Sequence, residues 1–97
     1  MSDFSTYYDA AIEVIYELEK RNYPRNEVIL YIHPKTKSDM FQPSRNKLQR
    51  IDVTDREIAG CSIVESKTMP ENMFIAVAVG YLQRGNADAI AFVEIDD

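Results

Sequence analysis

The feature that most constrains this chain is an unbroken run of seven apolar residues, from Met73 to Val79. A strand with one face in water alternates apolar and polar side chains, whereas a strand covered on both faces carries a continuous apolar run. The run therefore predicts a buried strand at the centre of a sheet. Pro70 predicts a turn just before it, because proline has no N–H to donate to a neighbouring strand.

The residues before this turn predict a second, shorter buried strand. Ile63 and Val64 are β-branched and favour extended backbone. Gly60 predicts a tight turn at the start of the strand, because glycine adopts conformations that other residues resist. Cys61 lies beside these apolar residues, with no cationic neighbour in the sequence to activate it. We predict a buried, inert thiol in preference to a nucleophile.

Residues 4 to 21 predict an amphipathic helix. Asn22-Tyr23-Pro24 ends it, because proline cannot continue a helix. The apolar side chains recur at steps of three and four residues, which places them on one face of a helix. They are Phe4, Tyr8, Ala11, Ile12, Ile15 and Leu18.

Val28 to Ile32 is a second continuous apolar run and predicts a second strand buried on both faces. His33-Pro34 follows, and proline suits the first turn of a new helix. We expect this short helix over residues 34 to 41, with Met40 and Phe41 packed inward. His33 is then a structural residue at the end of a strand. A catalytic histidine is the alternative, but no orienting acid can be assigned to it from the sequence.

Two further strands complete the predicted sheet. Arg50 to Thr54 alternates in character, which predicts a short strand near an edge. Gly85-Asn86 is a turn signal, so we expect an antiparallel hairpin that joins Ala76–Leu82 to Ala89–Ile95. The predicted class is α+β, with a mixed or antiparallel central sheet of about four to five strands. The N-terminal amphipathic helix and the short second helix pack against this sheet.

Length and composition predict one soluble domain over residues 1 to 97. A single cysteine excludes an internal disulfide and a thiolate metal cluster. No apolar run approaches the 18 or so residues that a membrane-spanning helix needs, and no apolar leader follows a basic start. These features predict a cytoplasmic protein that does not enter a membrane.

The charge is unevenly distributed along the chain. Residues 35 to 50 hold five basic side chains against one acidic one, a local charge of +4, although the whole chain carries −5. The pattern is typical of a solvated loop. It also fits a basic patch that meets an acidic partner, such as a second copy of the chain. Nucleic-acid binding is disfavoured for a chain this acidic. The candidate patch is Lys35, Lys37, Arg45, Lys47 and Arg50.

The sequence contains none of the common catalytic or cofactor-binding motifs. It lacks a phosphate loop, a dinucleotide fingerprint, a nucleophile elbow, a zinc-protease helix and a calcium loop. We therefore expect no catalytic residue, no cofactor and no metal. The one enzymatic alternative uses the acidic cluster Asp52, Asp55 and Glu57 together with His33, but a turn normally exposes such acids to solvent.

The order of the sequence segments is more informative than any one of them. The segments are, in order, a helix ending in Tyr23-Pro-Arg-Asn, Val28-Ile-Leu-Tyr-Ile-His-Pro-Lys-Thr, Ile58-Ala-Gly-Cys-Ser-Ile-Val-Glu-Ser, Met69-Pro70-Glu-Asn and Phe74-Ile-Ala-Val-Ala-Val-Gly80. This order resembles the axial (A) domain of the tailed-phage major capsid fold, over about residues 5 to 82. No long spine helix, peripheral domain or extended loop is present, so encapsulin-like proteins that keep only the A domain are nearest in length.

The resemblance implies a non-enzymatic, virus-related structural protein that associates with itself, binds a cargo protein, or does both. In capsids, A domains meet around five- and six-fold axes through loops at one end of the sheet. By position, the loop from Gln42 to Gln49 is the candidate for that contact. The expected location is then the cytoplasm or a shell. The alternative is a small monomeric or dimeric phage-derived binding or accessory module, and a small enzyme is less favoured.

Overall fold

A five-stranded mixed sheet carries the fold. Across the sheet the strands lie in the order Glu57–Ile58 (β2), Cys61–Glu65 (β3), Val28–Ile32 (β1), Met73–Ala78 (β4) and Ile90–Glu94 (β5). The computed structural model describes residues 4–41 and 56–95. β1 pairs in parallel with β3 and antiparallel with β4, while β2 and β5 join antiparallel at the two edges. The predicted α+β class is confirmed. In chain order the elements are α1 (Phe4–Lys20), β1 (Val28–Ile32), α2 (Pro34–Met40), β2 (Glu57–Ile58), β3 (Cys61–Glu65), β4 (Met73–Ala78), α3 (Val79–Gln83) and β5 (Ile90–Glu94).

Helix α1 packs against β4 and β5 and closes the core on one face of the sheet. The buried stripe is rotated slightly from the predicted one, because Tyr8 and Ile12 are only half-buried. Asn22 ends the helix in the left-handed region, with a φ of 70°. There the N–H of Tyr23 donates to the Leu18 carbonyl, a helix-ending hydrogen bond of the Schellman type. The buried side chains of α1 are Tyr7, Ala10, Ala11, Val14, Ile15 and Leu18.

The strand register places the core on the face of the sheet beneath α1. Leu30 of β1 lies opposite Ala76 of β4, and Ala76 lies opposite Ala91 of β5. All three belong to one continuous buried cluster that also contains Met40 of α2. The small alanine side chains let a helix approach a sheet closely, and the larger ones fill the space beside it.

The prediction that β4 is central and buried on both faces is wrong. β1 is the central strand, and β4 lies beside it. On the face away from α1, Ile75 of β4 and both Ile29 and Tyr31 of β1 are only half-buried. The continuous apolar runs thus reflect apolar residues at outward positions and not a second covered face within the described residues.

The predicted extension of the strand through Leu82 is also wrong, although the antiparallel pairing with β5 is confirmed. The chain turns into α3 immediately after Ala78. Two features favour the helix α3 over a longer strand. The Tyr81 ring packs edge-on against the Tyr23 ring at 5.1 Å. Gly85 follows the helix with a φ of 96°, and the N–H of Asn86 donates to the Tyr81 carbonyl.

A short edge strand, β2, lies where the sequence predicts only a turn. Ala59 and Gly60 both have positive φ, 53° and 85°, so they form a two-residue hairpin loop between β2 and β3. The predicted role of Gly60 in a turn is confirmed. The strand predicted over Arg50 to Thr54 lies outside the described residues. The helix predicted over 34–41 is confirmed as Pro34–Met40, with Met40 fully buried.

Gly80, inside the first turn of α3, and Gly85, just after its end, provide a matched test of this helix. Gly85→Ala should lower the free energy of unfolding by about 1 kcal/mol, because a Cβ is strained at positive φ although the space around it is open. Gly80→Ala should instead raise it by up to about 1 kcal/mol, since alanine favours a helix. Urea denaturation followed by circular dichroism measures both. Equal effects of the two changes would contradict the assigned helix end.

Candidate binding surface

The predicted basic patch is only partly within the described residues. Lys35 lies on α2, exposed, and its Nζ is 3.2 Å from Glu71 Oε1. Lys37 lies on the same helix and is half-buried. Arg45, Lys47 and Arg50 lie outside the described residues, as does the Gln42–Gln49 loop. Convergence of these five cations on one surface therefore stays a prediction.

His33 lies at the start of α2. Its Nδ1 accepts a hydrogen bond from the Lys35 backbone N–H at 3.0 Å, which caps the helix. Glu57 lies far from it, because Glu57 is in register with Ser62 and hence with Ile29, four residues before His33. That spacing is roughly 13 Å along the strands, with two strand steps across the sheet in addition.

Glu57 and His33 are the two residues of the enzymatic alternative that the structure describes, and they do not lie close together. Asp52 and Asp55 lie outside the described residues. Within residues 4–41 and 56–95, no group of three or more histidine, cysteine or acidic side chains is placed to hold a metal ion. In the same part of the chain, no helix is both long and apolar enough to cross a bilayer.

The Cys61 thiol is fully buried and donates weakly to the Arg25 carbonyl, with Sγ 3.5 Å from that oxygen. Burial raises the pKa of the Cys61 thiol to about 11, because the thiolate is poorly solvated there. The Arg25 guanidinium lies close enough to lower this pKa in part. A cation therefore does adjoin Cys61, contrary to the sequence-based expectation. It comes from a residue 36 positions away.

The Cys61 pKa predicts a specific loss of stability at alkaline pH. The folded-state pKa of about 11 lies above the ordinary value of 9.0. The thiol's contribution is thus complete below pH 9 and is lost as pH rises from 9 towards 11, because the unfolded chain ionises first. Up to about 2 kcal/mol should be lost in this window. The check is urea denaturation of wild type and Cys61→Ala at several pH values between 8 and 11.

The comparison rests on the slope, since Cys61→Ala is also less stable at every pH through lost packing. Tyr23 contributes to both proteins equally. Its hydroxyl donates a hydrogen bond to the Asp88 carboxylate, which raises the Tyr23 pKa. A slope unchanged by Cys61→Ala would show that the buried thiol is not the alkaline-sensitive group.

A cluster of hydrogen bonds and one ion pair links the end of α1 to the start of β5. Arg21 donates from one guanidinium nitrogen to the Asp88 carbonyl at 2.9 Å and to the Ile90 carbonyl at 3.1 Å. Its other terminal nitrogen is 3.1 Å from Glu17 Oε1. The Tyr23–Asp88 hydrogen bond lies beside it. Sequence reasoning missed this cluster because its partners are 65 to 69 residues apart.

The face of the sheet that points away from α1 is mostly apolar and is left open by the described residues. Strand register puts eleven outward side chains on it, of which only Glu57, Ser62 and Glu94 are polar or charged. None of the eight apolar ones belongs to the buried core cluster. We call these eight residues the open face: Ile29, Tyr31, Val64, Met73, Ile75, Val77, Ile90 and Phe92.

Exposure on the open face increases towards the edges of the sheet. Val77 is buried by its neighbours, whereas Val64 is 39% exposed, Ile90 42% and Phe92 69%. Sheets with one wet face normally carry polar side chains there. A contiguous apolar surface of this kind is typical of an interaction site. The signal was present in the sequence, because the same apolar runs that predicted two covered faces also supply these outward residues.

Comparison with known proteins adds no relative. No protein-family model, curated protein or solved structure matches this chain. The resemblance to the capsid A domain therefore rests on the order of its sequence segments, and it stays a prediction. The open face is the physical feature from which a function can be inferred.

Proposed function

We propose that this chain is a non-enzymatic protein that acts by self-association, with a second copy packed on the open face. The observation that carries the proposal is the apolar character of eight of the eleven outward positions of the sheet. Removing apolar surface from water yields about 25 cal/mol per Å², so an uncovered face of this composition favours association.

A second copy suits this surface for two reasons. Apolar sheet faces pack on each other about 10 Å apart, with interdigitating side chains, as in β-sandwiches. Interfaces between identical subunits are also more apolar than transient ones, and two-fold dimers are the commonest arrangement. Phe92 is the most exposed large apolar side chain of the open face and is suited to pack into the face of the partner copy.

The proposal includes a relation to viral shells, for which the support is the order of the sequence segments alone. In that form the protein is capsid-related or encapsulin-like, is located in the cytoplasm or a shell, and uses its association to build a particle or to bind a cargo protein. The alternative form is a small phage-derived accessory module that stays a monomer or dimer. Both forms need no cofactor and no catalytic residue.

Self-association through the open face predicts a solution mass above that of the 11.2 kDa monomer. Light scattering on a size-exclusion column, across protein concentrations, should detect a dimer or a larger particle. Phe92→Ser combined with Val64→Ser should shift association to at least ten-fold higher concentration, because both remove exposed apolar side chains from the face. Leu82→Ser is the matched control, since Leu82 is exposed but lies on α3.

Salt separates the open face from the basic patch as the site of association. Ammonium sulfate should strengthen an apolar contact, whereas sodium chloride should weaken one between exposed charges. A discrete pentamer, hexamer or closed particle would support the shell-related form. A monomer at every concentration would contradict self-association and favour the accessory module.

A further inference from the structure

The outer edge of β5 presents backbone groups that no described residue pairs as a strand. In the antiparallel β4–β5 pair, the Ala78 N–H donates to the Ala89 carbonyl and the Ile95 N–H donates to the Asn72 carbonyl. The odd-numbered residues of β5 therefore point their backbone groups at β4. Its even-numbered residues, Ile90, Phe92 and Glu94, point theirs away from the sheet.

A groove runs between this edge and α1. It has a volume of about 310 Å³ and is bounded by Glu13, Glu17 and Arg21 on the helix side and by residues 90–93 of β5 on the other. Arg21 closes one end of it by donating to the Asp88 and Ile90 carbonyls. The backbone N–H and C=O of Phe92 and Glu94 are left for another strand.

The helix wall of the groove is acidic. Glu17 is paired with Arg21, which leaves that pair neutral. Glu13 is exposed, and no described cation lies within ion-pair distance of it. A strand in the groove would alternate its side chains, one set facing α1 and the other lying beside Phe92 on the open face. Basic residues suit the first set and apolar residues the second.

We propose that this groove binds an extended peptide segment of a partner protein, with alternating basic and apolar residues, as a sixth strand on β5. Main-chain hydrogen bonds to Phe92 and Glu94 supply affinity, and Glu13 selects the basic side chains. A second copy does not fit this edge. The described residues 85–95 contain two acidic side chains, Asp88 and Glu94, and no basic one, so two such edges repel each other. The backbone edge that binds the peptide is distinct from the open face used in self-association, and the two surfaces adjoin at Phe92.

The probe is a fluorescein-labelled Lys-Val-Lys-Val-Lys-Val peptide, and fluorescence anisotropy measures its binding to the full chain at concentrations where the chain's mass is constant. Glu13→Gln should weaken binding at least two-fold, because it removes the free charge of the helix wall. Glu65→Gln is the control of equal charge change, since Glu65 is exposed and outside the groove. Equal losses in the two variants, or equal binding of a Glu-Val-Glu-Val-Glu-Val peptide, would overturn the assigned selectivity.

A second pair of variants tests the backbone contacts. Phe92→Pro removes an N–H that points away from β4, and edge strands tolerate proline in that position. Phe92→Ala removes the same ring and keeps the N–H. The proline variant should bind the basic peptide at least ten-fold more weakly than the alanine variant. Equal binding by two folded variants would overturn strand addition.

If Phe92→Pro does not fold, amide hydrogen exchange of the wild-type protein tests strand addition instead. The basic peptide should slow exchange at Phe92 and Glu94 at least ten-fold and leave Ala91 and Val93 nearly unchanged, because those two already pair with β4. Unchanged exchange at Phe92 and Glu94 would overturn the proposal. So would protection that rises with protein concentration in the absence of peptide, since that result assigns the edge to a second copy.

Discussion

The packing of α1 on one face of the sheet is the constraint on which the rest of the structure depends. Helices α1 and α2 contribute buried apolar side chains to a single cluster, and strand register places that cluster on one side of the sheet. A sheet with one covered face can be stable in water, but its other face is then a surface with properties of its own. Here that second surface is apolar, and this composition makes the chain a candidate for association.

The N-terminal helix, the strand Val28–Ile32 and the helix that begins at Pro34 could all be predicted, because each carries a local signal. Periodicity defines α1, and the His33-Pro34 pair defines the start of α2. The helix over Val79–Gln83, where the sequence predicts a continued strand, could not be predicted from a local signal. It depends on Tyr81 meeting Tyr23, a contact between residues far apart in the chain.

The open face could be predicted only in part from the sequence, for a related physical reason. The apolar character of a strand residue indicates that its side chain avoids water. It does not indicate whether the same chain or another molecule covers that side chain. Ile75 and Phe92 therefore look like core residues in the sequence and lie on the open face in the structure. Likewise, Arg21 gives no sign in the sequence that it covers two carbonyls of a strand edge.

The contact between the first helix and the last strand has a consequence for synthesis. α1 leaves the ribosome before the strands, but β5, which forms part of the surface on which α1 packs, begins 69 residues after Arg21. Until β5 emerges, the apolar stripe of α1 has only part of the sheet to pack on, and β4 is paired with β1 alone. Folding of the sheet is therefore completed only after β5 has been synthesised, through contacts of high sequence separation.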